Sequence, residues 1–283
     1  MIKMKIGIIG NGFVGNATKQ LECKDIEIIS YDINAELCVP RGTTLIDLNN
    51  CEIIFISVPT PMNKDGSCYL EIIKSVLHDI ESISYNGFVV LRSTVPVGTS
   101  DLLKCYFMPE FLTEKNYIQD FITNKNWIFG LLGKEHDELF KSTIRKLFLT
   151  AFLFNRIHYN NIHFLTNKEA EMIKMFRNCY LSTKVSFCNE IYEYCQHTGV
   201  NYQNIITLAS SDDRIGTSHT AVPGHDGKRG FGGTCFPKDT SSLRYEMVNV
   251  GMNPYIMNAI IERNENVDRP EKDWSTDKGR AVI

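Results

Sequence analysis

The chain has 283 residues, of which 43% are hydrophobic and 22% are charged, and its formal net charge is −3. This composition is typical of a globular protein with room for one large or two ordinary domains, and the charge gives no reason to expect nucleic-acid binding. The longest apolar runs, such as residues 53–58, are too short to cross a membrane. Nine cysteines without metal-site spacing, behind an N-terminus without a secretory pattern, predict reduced thiols, a cytoplasmic protein and no metal site.

Short apolar runs alternate with helical patterns along the first half of the chain. Helices are predicted at residues 70–83 and 136–147. Strands are predicted at residues 5–9, 27–31, 53–58, 88–91, 106–108 and 127–132. Such alternation is typical of a parallel sheet with helices on both faces, so we expect residues 1–165 to form a doubly wound α/β domain.

The pattern changes after residue 165. Thr166 and Glu169 have the spacing of a capping box, which predicts that a long helix begins here and runs over residues 168–197. Further helices are predicted at residues 202–209, 240–250 and 253–267. We therefore expect residues 166–283 to form a helical domain with a long central helix.

A glycine-rich turn follows the first predicted strand and opens a helix. It reads Gly10-Asn11-Gly12-Phe13-Val14-Gly15. Gly10 permits the tight turn, Gly12 lets a pyrophosphate approach the backbone, and Gly15 lets helix and strand pack closely. Together with the sheet this motif predicts a Rossmann-like domain that binds a dinucleotide.

Asp32 ends the second predicted strand, where a carboxylate accepts hydrogen bonds from the adenosine ribose. Such a carboxylate repels a 2′-phosphate, so NAD is the expected cofactor. Two further loops follow predicted strands at the edge where ligands bind in parallel sheets. They contribute Val58, Pro59, Thr60, Ser93 and Thr94 as candidate cofactor-binding residues.

The segment at residues 230–239 places Cys235 behind several glycines, with Lys238 and Asp239 close after it. Small residues let a substrate approach the sulfur, and a nearby cation favours the nucleophilic thiolate. This pattern predicts that Cys235 is a catalytic nucleophile and that the other cysteines are structural.

These motifs, in this order, resemble the UDP-glucose / GDP-mannose dehydrogenase family over nearly the whole chain. The resemblance implies a four-electron, NAD-dependent oxidation that converts the C6 alcohol of a nucleotide sugar into a carboxylate. It implies that Cys235 forms a thiohemiacetal with the aldehyde, and that the resulting thioester is cleaved by water.

The resemblance also assigns roles to residues outside the cysteine loop. Lys174 and Asn178, which share one helical face, would stabilise a developing oxyanion. The implied catalytic residues are Cys235, Lys174, Asn178, Asp239, Glu114 and Thr94, and the implied substrate-binding residues are Glu110, Phe111, Leu112, Arg214, Phe231 and Gly232. Which of Glu110 and Glu114 binds substrate and which assists hydrolysis stays open, and Lys238 is expected to be structural.

The resemblance further implies a homodimer that pairs through the helical domain. Family members continue for another ~100–150 residues, about one domain on length grounds, which close over the nucleotide. Either the protein is naturally short or this sequence is a fragment. If Ile283 is the natural end, we expect that this chain holds the nucleotide sugar weakly or that a separate chain supplies that domain.

Two other functions fit parts of the pattern. Short β-hydroxyacid dehydrogenases have a similar length and a lysine followed four residues later by an asparagine, but they need no nucleophilic cysteine. A non-catalytic or partner-dependent NAD-binding dimer module would need none of the catalytic residues. The cysteine loop favours the nucleotide-sugar chemistry over both.

Overall fold

The computed structural model describes residues 3–283. Its first half is built on one seven-stranded sheet with strand order β2-β1-β3-β4-β5-β6-β7. The strands are β1 (Met4–Ile9), β2 (Ile26–Tyr31), β3 (Ile53–Ile56), β4 (Phe88–Leu91), β5 (Tyr106–Phe107), β6 (Trp127–Leu131) and β7 (Ile162–Thr166). All neighbouring pairs are parallel except β5 and β6, which are antiparallel. The predicted doubly wound α/β sheet is confirmed, with this one reversal added.

Helices cover both faces of the sheet. They are α1 (Phe13–Thr18), α2 (Glu71–Ser82), α3 (Thr99–Leu102), α4 (Tyr117–Ile122) and α5 (Asp137–Leu153). Side chains alternate between the two faces along a strand. Ile53 and Phe55 of β3 belong to one buried apolar cluster, and Ile54 and Ile56 belong to another. The continuous apolar run of β3 therefore reflects a strand that is buried on both sides.

The second half is helical. Its elements are α6 (Asn167–Thr198), α7 (Tyr202–Ala209), α8 (Phe236–Asn249) and α9 (Tyr255–Arg263), and α9 continues as a π-helical turn over Asn264–Asp268. The predicted capping box is confirmed, since Thr166 N donates to Glu169 Oε2 at 2.8 Å and Glu169 N donates to Thr166 Oγ1 at 3.3 Å. The long central helix has 32 residues, as the spacing predicts.

The chain divides into two compact units. The sheet unit comprises residues up to Thr60 together with Leu70–Lys174, and the helical unit comprises Pro61–Tyr69 together with Met175–Ile283. The division falls within α6, so the boundary between residues 165 and 166 stays a prediction from the sequence pattern. We use the names sheet unit and helical unit for these two groups of residues below.

The segment Pro61–Tyr69 leaves the sheet after β3 and packs with the helical unit. Met62 N donates to the carbonyl oxygen of Ala281 at 2.8 Å, and Ile283 N donates to the carbonyl oxygen of Met62 at 3.2 Å. A Cβ added at Gly66 would lie 3.5 Å from Cβ of Ser241 on α8. The segment thus packs against the C-terminal residues and α8.

Several elements differ from the sequence prediction. Strand β7 and the short helices α3 and α4 have no counterpart in it. Helix α5 runs to Leu153 where the pattern predicted an end at residue 147, and α8 begins at Phe236 where the pattern predicted a start at residue 240. The other strand predictions are confirmed to within two residues at either end. Within residues 3–283, no helix combines the length and apolarity that a membrane span requires.

Candidate active site

A turn of glycines joins β1 to α1. Gly10 has a φ of +87°, and a Cβ there would lie 2.5 Å from the carbonyl oxygen of Ser57, so the position requires glycine. A Cβ at Gly15 would lie 2.1 Å from the carbonyl oxygen of Gly10, because helix and turn pack closely. At Gly12, an added Cβ would meet no atom of residues 3–283 within 4 Å. The backbone is open at the position where the sequence predicts the pyrophosphate.

Asp32 follows directly after β2 and lies beside the glycine turn. Its Oδ2 accepts a hydrogen bond from Asn11 N at 2.7 Å, and its Oδ1 accepts one from Asn34 N at 2.9 Å. Within α1, Val14 is half-buried, and Phe13 is partly exposed with its ring 5.3 Å from that of Tyr117. An open backbone for the pyrophosphate and a fixed carboxylate for the ribose hydroxyls fit NAD.

We expect Asp32→Ala to weaken NAD binding about tenfold, because a charge-assisted hydrogen bond to the ribose is lost. The affinity for NADP should fall less, because the repulsion of the 2′-phosphate is also lost. Isothermal titration with each dinucleotide measures both effects. Glu36→Ala, which removes an exposed carboxylate four residues on, should leave the NAD affinity within about twofold. Tighter binding of NADP than NAD by the unmodified protein would contradict the assignment.

The two candidate loops after β3 and β4 lie side by side. Thr60 Oγ1 donates to the carbonyl oxygen of Thr94 at 2.8 Å, and Ser93 Oγ donates to the carbonyl oxygen of Val58 at 2.6 Å. These hydroxyls therefore tie the loops to each other, and Pro59, between Val58 and Thr60 in the chain, is exposed. The loops form one surface at the carboxyl ends of the strands, the edge where parallel sheets bind ligands.

A residue that the sequence analysis missed supports the second of these loops. Glu171 is fully buried on α6, and its carboxylate accepts hydrogen bonds from Gly98 N at 2.5 Å and Ser100 N at 2.7 Å. Gly98 ends the loop that carries Ser93 and Thr94, and Ser100 lies in α3 directly after it. A buried acid near the start of a helix gives no indication, from sequence alone, of the loop that it anchors.

A buried ion pair joins Glu110 to Lys174. The Lys174 Nζ lies 2.6 Å from Glu110 Oε1, and Leu112 N donates to Glu110 Oε2 at 2.8 Å. Burial alone would raise the pKa of Glu110, but the adjacent ammonium and these hydrogen bonds hold it below its ordinary value. The same ammonium lies 6.0 Å from the ring centre of Phe111. Glu110 is thus held as an anion.

A second buried cation, Arg92, lies near this pair. Burial lowers the pKa of Arg92 to about 10, and the negative charge of Glu110 opposes that shift. Its guanidinium donates to Thr18 Oγ1 and lies 5.6 Å from the ring centre of Phe121. The sequence analysis did not single out Arg92, because a basic residue at the end of a strand is usually exposed. Glu114, by contrast, lies on an exposed turn outside the buried pair.

In the helical unit, a second buried cluster surrounds Asp239. Asn178 Nδ2 donates to Asp239 Oδ2 at 2.5 Å, and Lys238 Nζ donates to Asp239 Oδ1 at 2.7 Å. All three side chains are buried. Burial works against the Lys238 ammonium, but the carboxylate beside it raises the pKa of Lys238 above its ordinary value. The structure therefore brings Asn178 and Asp239 together, with Lys238 as the counter-charge.

Cys235 is the N-cap residue of α8, so the cluster and the candidate nucleophile share one helix terminus. Its sulfur lies 3.7 Å from Thr234 Oγ1. A negative charge on Cys235 or Cys68 raises the pKa of Lys238, so by the same attraction the Lys238 ammonium favours a thiolate at either sulfur. The sequence analysis missed Cys68, which reaches this neighbourhood through the segment Pro61–Tyr69.

The glycines before Cys235 lie against buried polar side chains. Phe231 N donates to Asn264 Oδ1 at 2.8 Å, and Asn264 Nδ2 donates to the carbonyl oxygen of Phe231 at 2.9 Å. A Cβ at Gly232 would lie 2.4 Å from Cζ of Arg269, which is itself buried. Arg214 is exposed and is paired with Asp212. The loop is thus fixed by Asn264, which lies in a predicted helix, and by Arg269, which lies outside every predicted element.

The chain matches known proteins over most of its length. The UDP-glucose/GDP-mannose dehydrogenase family matches at residues 41–150 with its NAD binding domain and at residues 168–266 with its central domain. Over 93% of its length the chain is 31% identical to UDP-glucose 6-dehydrogenase of Campylobacter jejuni, and it covers 72% of that protein. It is 29% identical to UDP-glucose 6-dehydrogenase YwqF of Bacillus subtilis, again over 93% of its length, and covers 66% of that protein.

A solved structure of a UDP-glucose dehydrogenase from the hyperthermophilic archaeon Pyrobaculum islandicum superposes with a TM-score of 0.79. The alignment covers 93% of this chain and 68% of that chain at 22% identity, which shows a shared fold.

Proposed function

Because the chain belongs to the UDP-glucose/GDP-mannose dehydrogenase family and carries its NAD-binding domain, we propose that it oxidises a nucleotide sugar at C6. The proposed reaction converts the primary alcohol into a carboxylate in two oxidations, with UDP-glucose as substrate and UDP-glucuronate as product. The observation that carries this proposal is the buried Asn178, Asp239 and Lys238 cluster at the helix terminus of Cys235. A simple alcohol oxidation has no need of a thiol in that position.

Cys235 carries the second oxidation in this proposal. Its Sγ forms a bond to the aldehyde carbon, and the carbonyl oxygen takes up a proton to give a thiohemiacetal. Oxidation of this adduct leaves a thioester, and water then breaks the carbon–sulfur bond, which releases the carboxylate and restores the thiol. NAD, when bound, supplies the hydride acceptor for both oxidations. Lys238 favours the thiolate that starts the sequence, and Asp239 holds Lys238 in place.

Lys174 and Asn178 lie one turn apart on α6, and we propose that both stabilise the oxyanion that develops at the reacting carbon. In this assignment Glu110 holds the Lys174 ammonium in position. The lowered pKa of Glu110 supports this, because it keeps the Glu110 carboxylate ionised beside the ammonium. We assign Thr94 and Glu114 to orienting the water that cleaves the thioester. The residues assigned to substrate contact are Phe111, Leu112, Arg214, Phe231 and Gly232. Glu114 and Arg214 are exposed and can reach a ligand from the surface.

The test is the stoichiometry of NADH release. The protein is incubated with limiting UDP-glucose, UDP-N-acetylmannosamine or GDP-mannose and excess NAD, and NADH is counted by absorbance. Two NADH per sugar, with a carboxylate product in the mass spectrum, supports the proposal. One NADH per substrate, or turnover of a β-hydroxyacid instead, would favour the simpler dehydrogenase. Binding of NAD without any NADH would favour the non-catalytic module.

We also propose a homodimer that pairs through α6. Phe176 is 61% exposed and Phe187 is 62% exposed, and Tyr180 stacks on Phe176 with ring centres 6.1 Å apart. An aromatic stripe of this size on a helix is unusual unless a partner covers it. Tyr192, farther along α6, is not part of this stripe, because its ring packs against that of Tyr202 within the helical unit.

Phe176→Glu combined with Phe187→Glu should convert the dimer into a monomer, because two charges would be buried at the interface. Light scattering at micromolar concentration measures the mass. Leu208→Glu, at an exposed apolar residue on α7, is the matched control and should leave the dimer intact. A monomeric unmodified protein under these conditions would contradict the proposal.

A further inference from the structure

Asn11 occupies an unusual position between the first two glycines of the turn. Its side chain is buried, with only 4% of the residue exposed. Nδ2 donates a hydrogen bond to the carbonyl oxygen of Leu37 at 2.6 Å, and Oδ1 has no hydrogen-bond partner among residues 3–283. Burial gives the bond from Nδ2 to Leu37 weight, because a buried amide that lost this partner would leave a second polar atom unpaired.

That bond fixes the loop that carries Asp32. Asp32 Oδ1 binds Asn34 N at 2.9 Å, and the Cys38 thiol donates to the carbonyl oxygen of Asp32 at 3.3 Å. Apolar packing holds the loop mainly through the buried Cys38, since Ile33 is 97% exposed and Leu37 is 41% exposed. Two backbone hydrogen bonds between Ser30 and Val39 close the loop onto β2, and Asn11 adds the hydrogen bond that ties Leu37 to the glycine turn.

We propose that Asn11 is a positioning residue that sets the preference for NAD over NADP. By holding Leu37 against the glycine turn, its side chain keeps the loop closed around the Asp32 carboxylate. A fixed carboxylate accepts the ribose hydroxyls and repels a 2′-phosphate, whereas a carboxylate on a loose loop can turn away from either. The inference rests on the NAD site described above and is independent of the sugar that is oxidised.

The test is cofactor binding to the full chain, measured as the dissociation constants of NADH and NADPH by fluorescence titration. Asn11→Ala removes the bond to Leu37 and should weaken NADH binding about tenfold while changing NADPH binding less than about threefold. Asn11→Ser, which keeps a small polar group in the buried site, should show the same change in preference if the alanine variant folds poorly. Thr43→Ala, at an exposed hydroxyl that bonds only to Pro40 in the same region, should leave both constants within about twofold.

A double-mutant cycle separates positioning from general stability. In an Asp32→Ala background, Asn11→Ala should leave the ratio of the two dissociation constants unchanged, because Asn11 acts on that ratio through Asp32. An equal loss of affinity for both dinucleotides in Asn11→Ala would overturn the proposal. So would a change in the ratio that persists without Asp32, or an unmodified protein that binds NADPH as tightly as NADH.

Discussion

Cys235→Ser should stop formation of the carboxylate, with a loss of at least about 10³-fold in turnover. The serine alkoxide is much less accessible at neutral pH than a thiolate, and an ester is cleaved by water less readily than a thioester. The first oxidation does not use the sulfur, so a burst of NADH or a trapped ester adduct can still form. Product analysis by mass spectrometry distinguishes these species from the carboxylate.

The matched control is Cys23→Ser, a partly buried cysteine of the sheet unit, which should turn over normally. Full two-step turnover by Cys235→Ser would show that the sulfur is dispensable and would remove the basis of the proposed mechanism.

The same assignment predicts the order in which the nine thiols react with an alkylating reagent. Burial raises the pKa of Cys51 to about 11 and that of Cys105 to about 12, and it raises the pKa of Cys179 as well. These thiols are protonated at neutral pH and should react slowly. Cys235, at a helix N-terminus near Lys238, should be labelled first, and peptide mapping after a short exposure measures this. Faster labelling of Cys51 or Cys105 would contradict it.

Lys174→Met should destabilise the protein by about 3–5 kcal/mol at neutral pH, because it leaves the buried Glu110 carboxylate without its closest cation. Chemical denaturation of both proteins gives the difference. Lys141→Met is the control, since it breaks an ion pair with the exposed Glu138, and it should cost less than about 1 kcal/mol.

The effect of Lys174→Met should depend on pH. In the unmodified protein the folded-state pKa of Glu110 lies below its ordinary value, so the pair stabilises the fold at neutral pH. That contribution is lost as pH falls through the folded-state pKa. In the variant, burial, the largest influence on Glu110, raises its pKa above the ordinary value, so protonation should relieve much of the cost as pH falls from neutrality. A destabilisation that stays constant from pH 7 to pH 4 would show that Glu110 is not its source.

Local patterns predicted most of the sheet but missed its last strand. Strand β3 is buried on both faces, so its apolar run is visible in the sequence. Strand β7 lies at the edge of the sheet, and its residues alternate only weakly between exposed and half-buried positions before α6 begins at once. The reversal at β6 was also invisible, since a strand's residues do not encode its direction.

The candidate site shows the same limit. Pro237 lies in the first turn of α8, where proline is favoured, yet after a run of glycines it looks like part of a loop. The hydrogen bond between Asn178 and Asp239 joins residues far apart in the chain, and no local pattern predicts it. The family resemblance indicated both Asn178 and Asp239. The contacts of Glu171 and Arg269 and the hydrogen bond from Asn11 to Leu37 became visible only in the structure.

The packing of Pro61–Tyr69 within the helical unit affects how the protein folds during its synthesis. The segment leaves the ribosome early, but its partners on α8 and at Ala281 lie much later in the chain and emerge long after it. Until then the first strands can pair, but residues 61–69, including Cys68, lack the residues that they pack against. Contacts between such distant residues slow folding and prolong the exposure of unfinished surface. A ribosome-stalled chain that ends before residue 240 should therefore be cut by protease within this segment, and a released chain that includes residues 1–283 should resist.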